Sequence, residues 1–190
     1  LLEALPMAQA AKNSGGIVIA QVEYQAQANT LHPKSVKVPG ALIDYIVVAK
    51  PENHMQTAGT YYNPAIAGDS KMPLAGLEPM PFDARKIIAR RGAMELIHNT
   101  VINLGIGVPD GIGRVASEEG IADLLTMTTD LGTYGGVPCS GSDFGCAYNT
   151  EAIIEHEAQV DFYDGGGLDA TFLGLSQNDP EGNLHLSKFG

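Results

Sequence analysis

The sequence predicts an α/β fold with open, mostly parallel sheets, and three patterns support that prediction. Apolar runs rich in β-branched residues occupy 16–23 (GIVIAQVE) and 41–49 (ALIDYIVVA), a composition typical of strands buried on both faces. A third strand, TVINL at 100–104, leads through a glycine turn and a short helix into a fourth strand at 121–129. This strand–helix–strand order predicts a parallel pair joined by a right-handed crossover.

Before residue 64, the sequence predicts one helix ahead of the first two strands. Residues 2–12 have a helical pattern that stops at NSGG, where glycine favours a C-terminal cap. The segment LHPKSVKVPG between the two strands contains two prolines and is predicted to be a loop. Helix, strand, loop and strand in this order indicate an α/β layer.

The segment 64–82 differs in composition from its surroundings, and we interpret it as a linker between two domains. Four prolines and two glycines are concentrated there: Pro64, Gly68, Pro73, Gly76, Pro79 and Pro81. Proline lacks the backbone N–H and fixes φ, so it interrupts both helices and central strands. A structureless stretch of this length would be unusual inside one compact domain.

A second α/β region is predicted after this linker. Asp83 is suited to cap a helix over 83–97, and Pro109 stands at the first turn of the short helix that follows TVINL. Asp130 comes directly after the strand at 121–129. Ligands of open parallel sheets bind at the carboxyl ends of the strands, so the position of Asp130 indicates a candidate site.

The remainder of the chain is predicted to contain one more helix and two strands. NTEAIIEH at 149–156 is predicted to be the helix, and VDFYDGGGLD at 160–169 a glycine-rich connection. ATFLGLSQ (170–177) and NLHLSK (183–188) are predicted to be strands, joined by the turn NDPEGN.

Composition excludes several classes of function. The net charge is −11, from 22 acidic and 11 basic residues, which disfavours nucleic-acid and anionic-membrane surfaces. No apolar run approaches the roughly 20 residues of a membrane span, so a soluble, cytoplasmic protein is expected. Cys139 and Cys146 fit no zinc pattern and the five histidines are scattered, so we expect reduced thiols and no metal site.

Glycine-rich turns provide the candidate binding motifs. GIGVP at 105–109 would suit a turn that cradles a phosphate, or it would simply let strand and helix pack closely. It is not a dinucleotide fingerprint, because Asp110 stands at the sixth position of the motif and Gly111 comes one residue late. GTYGGVP (132–138) and DGGGLD (164–169) allow the same two interpretations.

Two residues are candidate nucleophiles on local grounds. Asp130 is either a solvated turn acid or a catalytic carboxylate, and its own spacing does not decide between them. Cys139 has no histidine in its local segment, and only a spatial approach of His156 would give it a base.

Several long blocks together resemble the family I coenzyme A transferases, in particular the acetate/propionate and acyl-CoA:acetate/3-ketoacid types. The blocks are ALPMAQAAKNSGGIVIAQVE, VPGALIDYIVVAKPENH, NLGIGVPDGIGRVASEEGI, TTDLGTYGGVPCSGSDFG and VDFYDGGGLDATFLGLSQNDPEGNLHLSKFG. The resemblance covers essentially the whole chain and implies parts of two α/β domains. Residues 1–63 would end the first domain and 83–190 would open the second, so the chain resembles roughly the middle third of such an enzyme.

The resemblance also implies a chemistry for position 130. Family members use a glutamate in a pattern like T-[VT]-E-x-G-x-x-G-G, and its carboxylate attacks an acyl-CoA to give an anhydride and then an enzyme–CoA thioester. The matching residue in TTDLGTYGG is Asp130. Gly105, Gly107, Gly135 and Gly136 would serve the CoA thioester. The implied substrates are acyl-CoA and a short-chain carboxylate, with no permanently bound cofactor and assembly with further copies or complementary chains.

Asp130 departs from the family pattern, because its side chain is one methylene shorter than glutamate. A retreat of about 1 Å can cost on the order of 10²-fold in rate. Three outcomes stay open: slow transfer, thioester hydrolysis by a water in the gap, or a non-catalytic CoA-binding or assembly module.

Overall fold

The computed structural model describes residues 3–185 and divides the chain into two compact units, Leu1–Tyr62 and Asn63–Gly190. The segment predicted as a linker, 64–82, groups with the second unit. The assignment of these units to two domains of a larger enzyme stays a prediction. In the described part of the chain, no helix has the length and apolar character needed to cross a bilayer.

The first unit contains helix α1 (Ala4–Asn13) and strands β1 (Ile19–Val22) and β2 (Tyr45–Val48). The strands pair in parallel, as the apolar runs predicted. Lys12 donates to Asp44 at 2.6 Å, and this hydrogen bond lowers the pKa of the Asp44 carboxyl.

The predicted burial of β1 and β2 on both faces is wrong. All four residues of β2 are exposed and those of β1 alternate between exposed and half-buried, because in this unit each strand has a single neighbour and few elements cover the faces.

Residues 64–82 are held to the rest of the second unit by polar contacts. The short helix α2 (Pro64–Ala67) is capped by Asn63, whose side chain accepts from the N–H of Ala65 at 2.9 Å. Further on, Nζ of Lys71 donates to the carbonyl of Thr150 at 2.5 Å. The side chain of Asn149 exchanges two hydrogen bonds, 2.8 and 2.7 Å long, with the backbone of Met72.

The predicted strand–helix–strand unit is present in the second unit. Helix α3 (Ala84–Ala93) is capped by Asp83, as predicted, through a 3.0 Å bond from the N–H of Lys86. Strand β3 (Val101–Leu104), helix α4 (Asp110–Glu118) and strand β4 (Thr126–Thr128) follow. Strands β3 and β4 pair in parallel, with Val101 opposite Thr126, which confirms the predicted direction.

The remaining elements are β5 (Thr133–Tyr134), β6 (Val137–Pro138), β7 (Ala147–Tyr148), β8 (Ala152–Ile153), α5 (His156–Asp164), β9 (Ala170–Phe172), β10 (Gln177–Asn178) and β11 (Leu184–His185). Strands β5, β8 and β9 join β3 and β4 in a five-stranded sheet with the order β8-β5-β4-β3-β9, while β6 pairs with β7 and β10 with β11. The sheet is parallel among β4, β3 and β9 and antiparallel from β4 through β5 to β8. The predicted hairpin turn joins β10 and β11. Residues 186–188 of the predicted last strand lie outside the described residues.

The predicted helix at 149–156 is wrong, because this segment turns and then forms the edge strand β8. Asn149 adopts a left-handed conformation with φ 60°, and the sheet pairing of Ile153 with Thr133 overrides the local helical preference. The helix begins seven residues later than predicted, at His156, and ends at the glycines of the predicted connection.

The hydrophobic core lies between one face of this sheet and the helices α3 and α4. Ile102 and Leu104 of β3 and Met127 of β4 are buried there, together with Ile112 and Val115 of α4. Because side chains alternate along a strand, the residue between Ile102 and Leu104 faces the opposite side of the sheet.

The burial of Met127 leads to a stability prediction. We expect Met127→Ala, at a position only 1% exposed, to lower the free energy of unfolding by about 2–5 kcal/mol through lost packing and a residual cavity. Met94→Ala is the matched control, because Met94 is 78% exposed and should change that free energy by less than about 0.5 kcal/mol. Urea unfolding of the two variants checks this, and equal losses would contradict the assigned core.

Candidate active site

Asp130 lies on the turn that follows β4, and buried hydrogen bonds fix this turn. The hydroxyl of Thr129 donates to the carbonyl of Gly145 at 2.8 Å. The N–H of Gly132 donates to Oε1 of the fully buried Gln159 at 2.6 Å. Bonds on both sides of Asp130 therefore set its backbone, while its side chain remains partly exposed.

Asn103 connects Asp130 to the centre of the sheet. It is only 3% exposed and stands on β3 opposite Thr128 of β4 and Thr171 of β9. Its Nδ2 donates to Oδ1 of Asp130 at 2.7 Å, a distance typical of a bond to a charged acceptor. Its own Oδ1 accepts from the hydroxyl of Thr171 at 3.0 Å. Three parallel strands thus present one continuous polar row.

Tyr163 of α5 covers this row. Its hydroxyl donates to Oγ1 of Thr128 at 2.6 Å and lies 3.4 Å from Nδ2 of Asn103, which places it to accept a weaker bond. Thr128 in turn donates to the carbonyl of Ile102 at 2.7 Å. Burial raises the pKa of the Tyr163 phenol, so at neutral pH the hydroxyl keeps the proton that it donates.

These contacts distinguish the two carboxylate oxygens of Asp130. Oδ1 accepts the bond from Asn103. Within residues 3–185, no hydrogen bond to Oδ2 is present. A carboxylate that is held through Oδ1, and whose Oδ2 has no hydrogen-bond partner among the described residues, is suited to attack an electrophilic carbon through Oδ2.

Two of the four predicted CoA-binding glycines are explained by contacts within the chain. The N–H of Gly105 donates to the carbonyl of Phe172 at 2.9 Å, and a Cβ at Gly105 would lie 3.2 Å from that oxygen. The N–H of Gly135 donates to the carbonyl of Met127 at 2.8 Å, and a Cβ there would lie 2.6 Å from the side chain of Glu151. These contacts give both positions a structural reason to be glycine.

The other two glycines differ from each other. Gly136 has φ 74°, and a Cβ there would lie 2.0 Å from the carbonyl oxygen of Tyr148, so packing of the chain itself excludes a side chain. Gly107 has φ 97°, and a Cβ at this residue would meet no described atom within 4 Å, although its N–H donates to Oδ2 of Asp110 at 3.2 Å. Among the four, Gly107 alone is both uncrowded and beside a groove.

The groove beside Gly107 has a volume of about 410 Å³ and contains both signs of charge, with Arg85, Arg114 and Asp110 among its lining residues. Burial raises the pKa of Asp110, whose carboxyl occupies the place at the turn where an anion would bind. Asp130 does not line this groove. A CoA-binding role for the four glycines stays a prediction.

The alternative nucleophile, Cys139, is poorly suited to the role. Burial raises the pKa of its thiol to about 12, so the reactive thiolate is scarce at neutral pH. Both cysteines are free thiols. Among the residues that the structure describes, no three His, Cys, Asp or Glu side chains cluster in a way that could hold a metal ion.

The structure groups Asn103, Thr171 and Tyr163 with Asp130, and of these four residues only Asp130 was a candidate from the sequence. A signal was present for Asn103, because a single amide interrupts the otherwise apolar strand VINL two residues before a glycine. Tyr163 had no comparable signal, since its segment was predicted to be a connection rather than a helix.

A carboxylate at the carboxyl end of a parallel strand, held by the neighbouring strand, defines the class: an open-sheet α/β protein with a candidate site at that edge. Comparison with known proteins identifies relatives of the chain. The chain is 53% identical over 188 residues to a caffeate CoA-transferase of Acetobacterium woodii, covering 98% of this chain and 36% of that relative. It is 43% identical over 188 residues to the acetate CoA-transferase YdiF of Escherichia coli O157:H7, covering 99% and 35%. No family model matches the chain.

A solved structure agrees with these relatives. The acyl-CoA transferase YdiF of E. coli O157:H7, in thioester complex with CoA, matches with a TM-score of 0.84 and 40% identity over 100% of this chain and 34% of that one. The predicted resemblance to CoA-transferases and the α/β fold class are therefore confirmed. It spans about a third of the length of the relatives it matches.

The crowding at Gly136 can be tested against a glycine of similar conformation. We expect Gly141→Ala, at φ 62° with nothing within 4 Å, to cost about 1–2 kcal/mol for the left-handed backbone alone. Gly136→Ala adds a backbone clash and should cost more than about 4 kcal/mol. Unfolding midpoints of both variants measure the difference, and equal losses would show that the chain itself does not require glycine at 136.

Proposed function

We propose that the complete protein carrying this chain transfers coenzyme A between an acyl-CoA and a short-chain carboxylic acid, with Asp130 as the covalent nucleophile. One observation carries the proposal: Asp130 stands at the carboxyl end of β4 and, within the described residues, its carboxylate is bonded through Oδ1 alone. Homology to proteins named as CoA-transferases over nearly the whole chain supports the reaction class.

The proposed reaction proceeds through two acyl-type intermediates. The carboxylate of Asp130 attacks the thioester carbon of the acyl-CoA, and the carbon–sulfur bond breaks to give a mixed anhydride and CoA thiolate. The thiolate then attacks Cγ of Asp130, which releases the carboxylate of the acyl group and leaves an enzyme–CoA thioester. A second carboxylate reverses these steps, so ping-pong kinetics are expected. The YdiF structure named as a thioester complex with CoA supports this route by homology.

We further propose that the aspartate slows this chemistry relative to a glutamate at the same position. The turn at 129–133 is fixed by buried bonds, so the backbone is poorly able to advance and compensate for the missing methylene. A displacement of about 1 Å from the productive position can cost on the order of 10²-fold in rate.

The remaining parts of the proposal concern binding. We keep Gly105, Gly107, Gly135 and Gly136 as the predicted CoA-binding positions, and the open surroundings of Gly107 give that residue the best support. The two relatives are named for different acids, acetate and caffeate, so the acceptor should be identified with a panel containing both. Assembly with further copies or complementary chains is part of the same proposal.

Trapping the covalent intermediate tests the assignment of Asp130. Acetyl-CoA and the complete protein should give a thioester that hydroxylamine converts to a hydroxamate on the Asp130 peptide, detected by mass spectrometry. The isosteric change Asp130→Asn should abolish the adduct, whereas Asp123→Asn, at an exposed acid before β4, should leave it intact. An adduct on another residue, or none during turnover, would reject the proposal.

The length of the side chain is tested by Asp130→Glu. Restoring the methylene should raise the transfer rate by up to about 10²-fold, because the carboxylate regains its reach. CoA release measured with and without an acceptor acid separates transfer from hydrolysis in both proteins. A variant that transfers no faster than the aspartate protein would show that the shorter acid does not limit the reaction.

A further inference from the structure

We propose that Asn103 fixes which carboxylate oxygen of Asp130 attacks, and that Thr171 and Tyr163 are positioning residues that hold the Asn103 amide in the required orientation. This inference rests on the proposed function, because it assigns the atoms of the same covalent step. It assigns roles in that step to residues on the three elements β3, β9 and α5. None of these residues was selected as a candidate from the sequence motifs.

The surroundings of Asn103 allow only one orientation of its amide. Nδ2 faces Oδ1 of Asp130 at 2.7 Å, so a flipped amide would place two acceptor oxygens against each other. The hydroxyl of Thr171 donates to Oδ1 of Asn103 at 3.0 Å and would lose its acceptor in the flipped state. The carboxylate, which can only accept, therefore selects this orientation, and the threonine hydroxyl stabilises it by donating to Oδ1.

Tyr163 adds to this selection on the other side of Asn103. Its single proton is directed to Thr128 over 2.6 Å or to the carbonyl of Thr129 over 3.3 Å, and either choice leaves a lone pair for the second N–H of Asn103. Every donor in the chain from Thr171 through Asn103 and Tyr163 to Thr128 has an acceptor, and Thr128 ends the chain on the carbonyl of Ile102. Networks that are satisfied in this way hold their members rigidly.

The burial of Asn103 strengthens its hydrogen bond to Asp130. Asn103 is 3% exposed on an interior strand of the sheet, so water competes little for its N–H groups. A hydrogen bond to an ionised acceptor in such surroundings is stronger than one between neutral groups.

The two oxygens then have separate roles in the reaction. Oδ2 donates its electron pair to the acyl carbon, and CoA leaves as the thiolate. When the thiolate adds to Cγ, the carbonyl electron pair moves onto Oδ1, where the N–H of Asn103 is already directed. The Cγ–Oδ2 bond then breaks, and the acid leaves with Oδ2 as a carboxylate. No proton is transferred, and a donor aimed at developing charge favours the transition state over the ground state.

Rapid mixing of the complete protein with acetyl-CoA tests the assignment, with the Asp130 thioester quantified by mass. Asn103→Ala should slow thioester formation at saturating acetyl-CoA by about 10- to 100-fold, the effect of one hydrogen bond to a charged group. The concentration for half-saturation should change by less than about twofold, since the lost bond acts on chemistry rather than on binding.

Thr171 supplies a matched pair of variants. Thr171→Val removes the hydroxyl at nearly constant shape and should slow the step by about 3- to 10-fold, whereas Thr171→Ser keeps the donor and should restore a rate near that of the unmodified protein. Tyr163→Phe should slow the step by a similar factor. Thr171→Val added to Asn103→Ala should have no further effect, because both changes act through one amide.

Each outcome decides the question. Wild-type rates for Asn103→Ala, equal rates for the Val and Ser variants, or full additivity of the double variant would overturn the assignment while leaving Asp130 as nucleophile. An unmodified protein that forms no thioester would instead reject the proposed function, and this inference with it. If Asn103→Ala fails to fold, the comparison of Thr171→Val with Thr171→Ser decides.

Discussion

The register of the interior strand β3 is the constraint on which the second unit depends. Ile102 and Leu104 point to the helices α3 and α4, and Asn103 between them points to the opposite face. A slip of one residue would place the amide in the apolar core and two aliphatic side chains in the polar row. Burying that amide without partners would cost about 1–3 kcal/mol by mutational measures, so the packing of the core also secures the geometry of the site.

The same sheet holds Asp130 without placing the carboxylate in the core. The acid lies beyond the end of β4, partly exposed, and accepts a hydrogen bond from the buried strand beside it. The turn around it is fixed by Thr129 and Gly132, whose partners come from segments well separated in sequence. The position of this carboxylate is therefore set by contacts with residues distant in sequence, and not by the glycine-rich sequence that surrounds it.

Features that depend on residues close together in sequence were predicted, and features that depend on contacts between distant residues were not. The cap at Asp83, the turn before β11 and the parallel pair β3–β4 depend on local patterns, and all three were predicted. The helix α5 was missed because pairing of β8 with β5 overrides the helical preference of residues before it. Tyr163 was missed with that helix, and Thr171 meets Asn103 only through the pairing of β9 with β3, which no local pattern encodes.

Glycine clusters were the most conspicuous motifs of the sequence, yet at three of the four glycines selected from them a Cβ would be crowded by other atoms of the chain. The N–H groups of Gly105, Gly107 and Gly135 are already bonded within the chain, so none is free to stabilise an oxyanion without a rearrangement. Asn103, by contrast, directs a donor to the carbon–oxygen group on which charge would develop. An amide on a rigid strand needs no reorganisation during the reaction, and such preorganised donors account for a large share of catalysis in acyl transfer. The glycines were first considered as hydrogen-bond donors to an oxyanion. Asn103, the single polar residue of β3, is better placed to supply that donor.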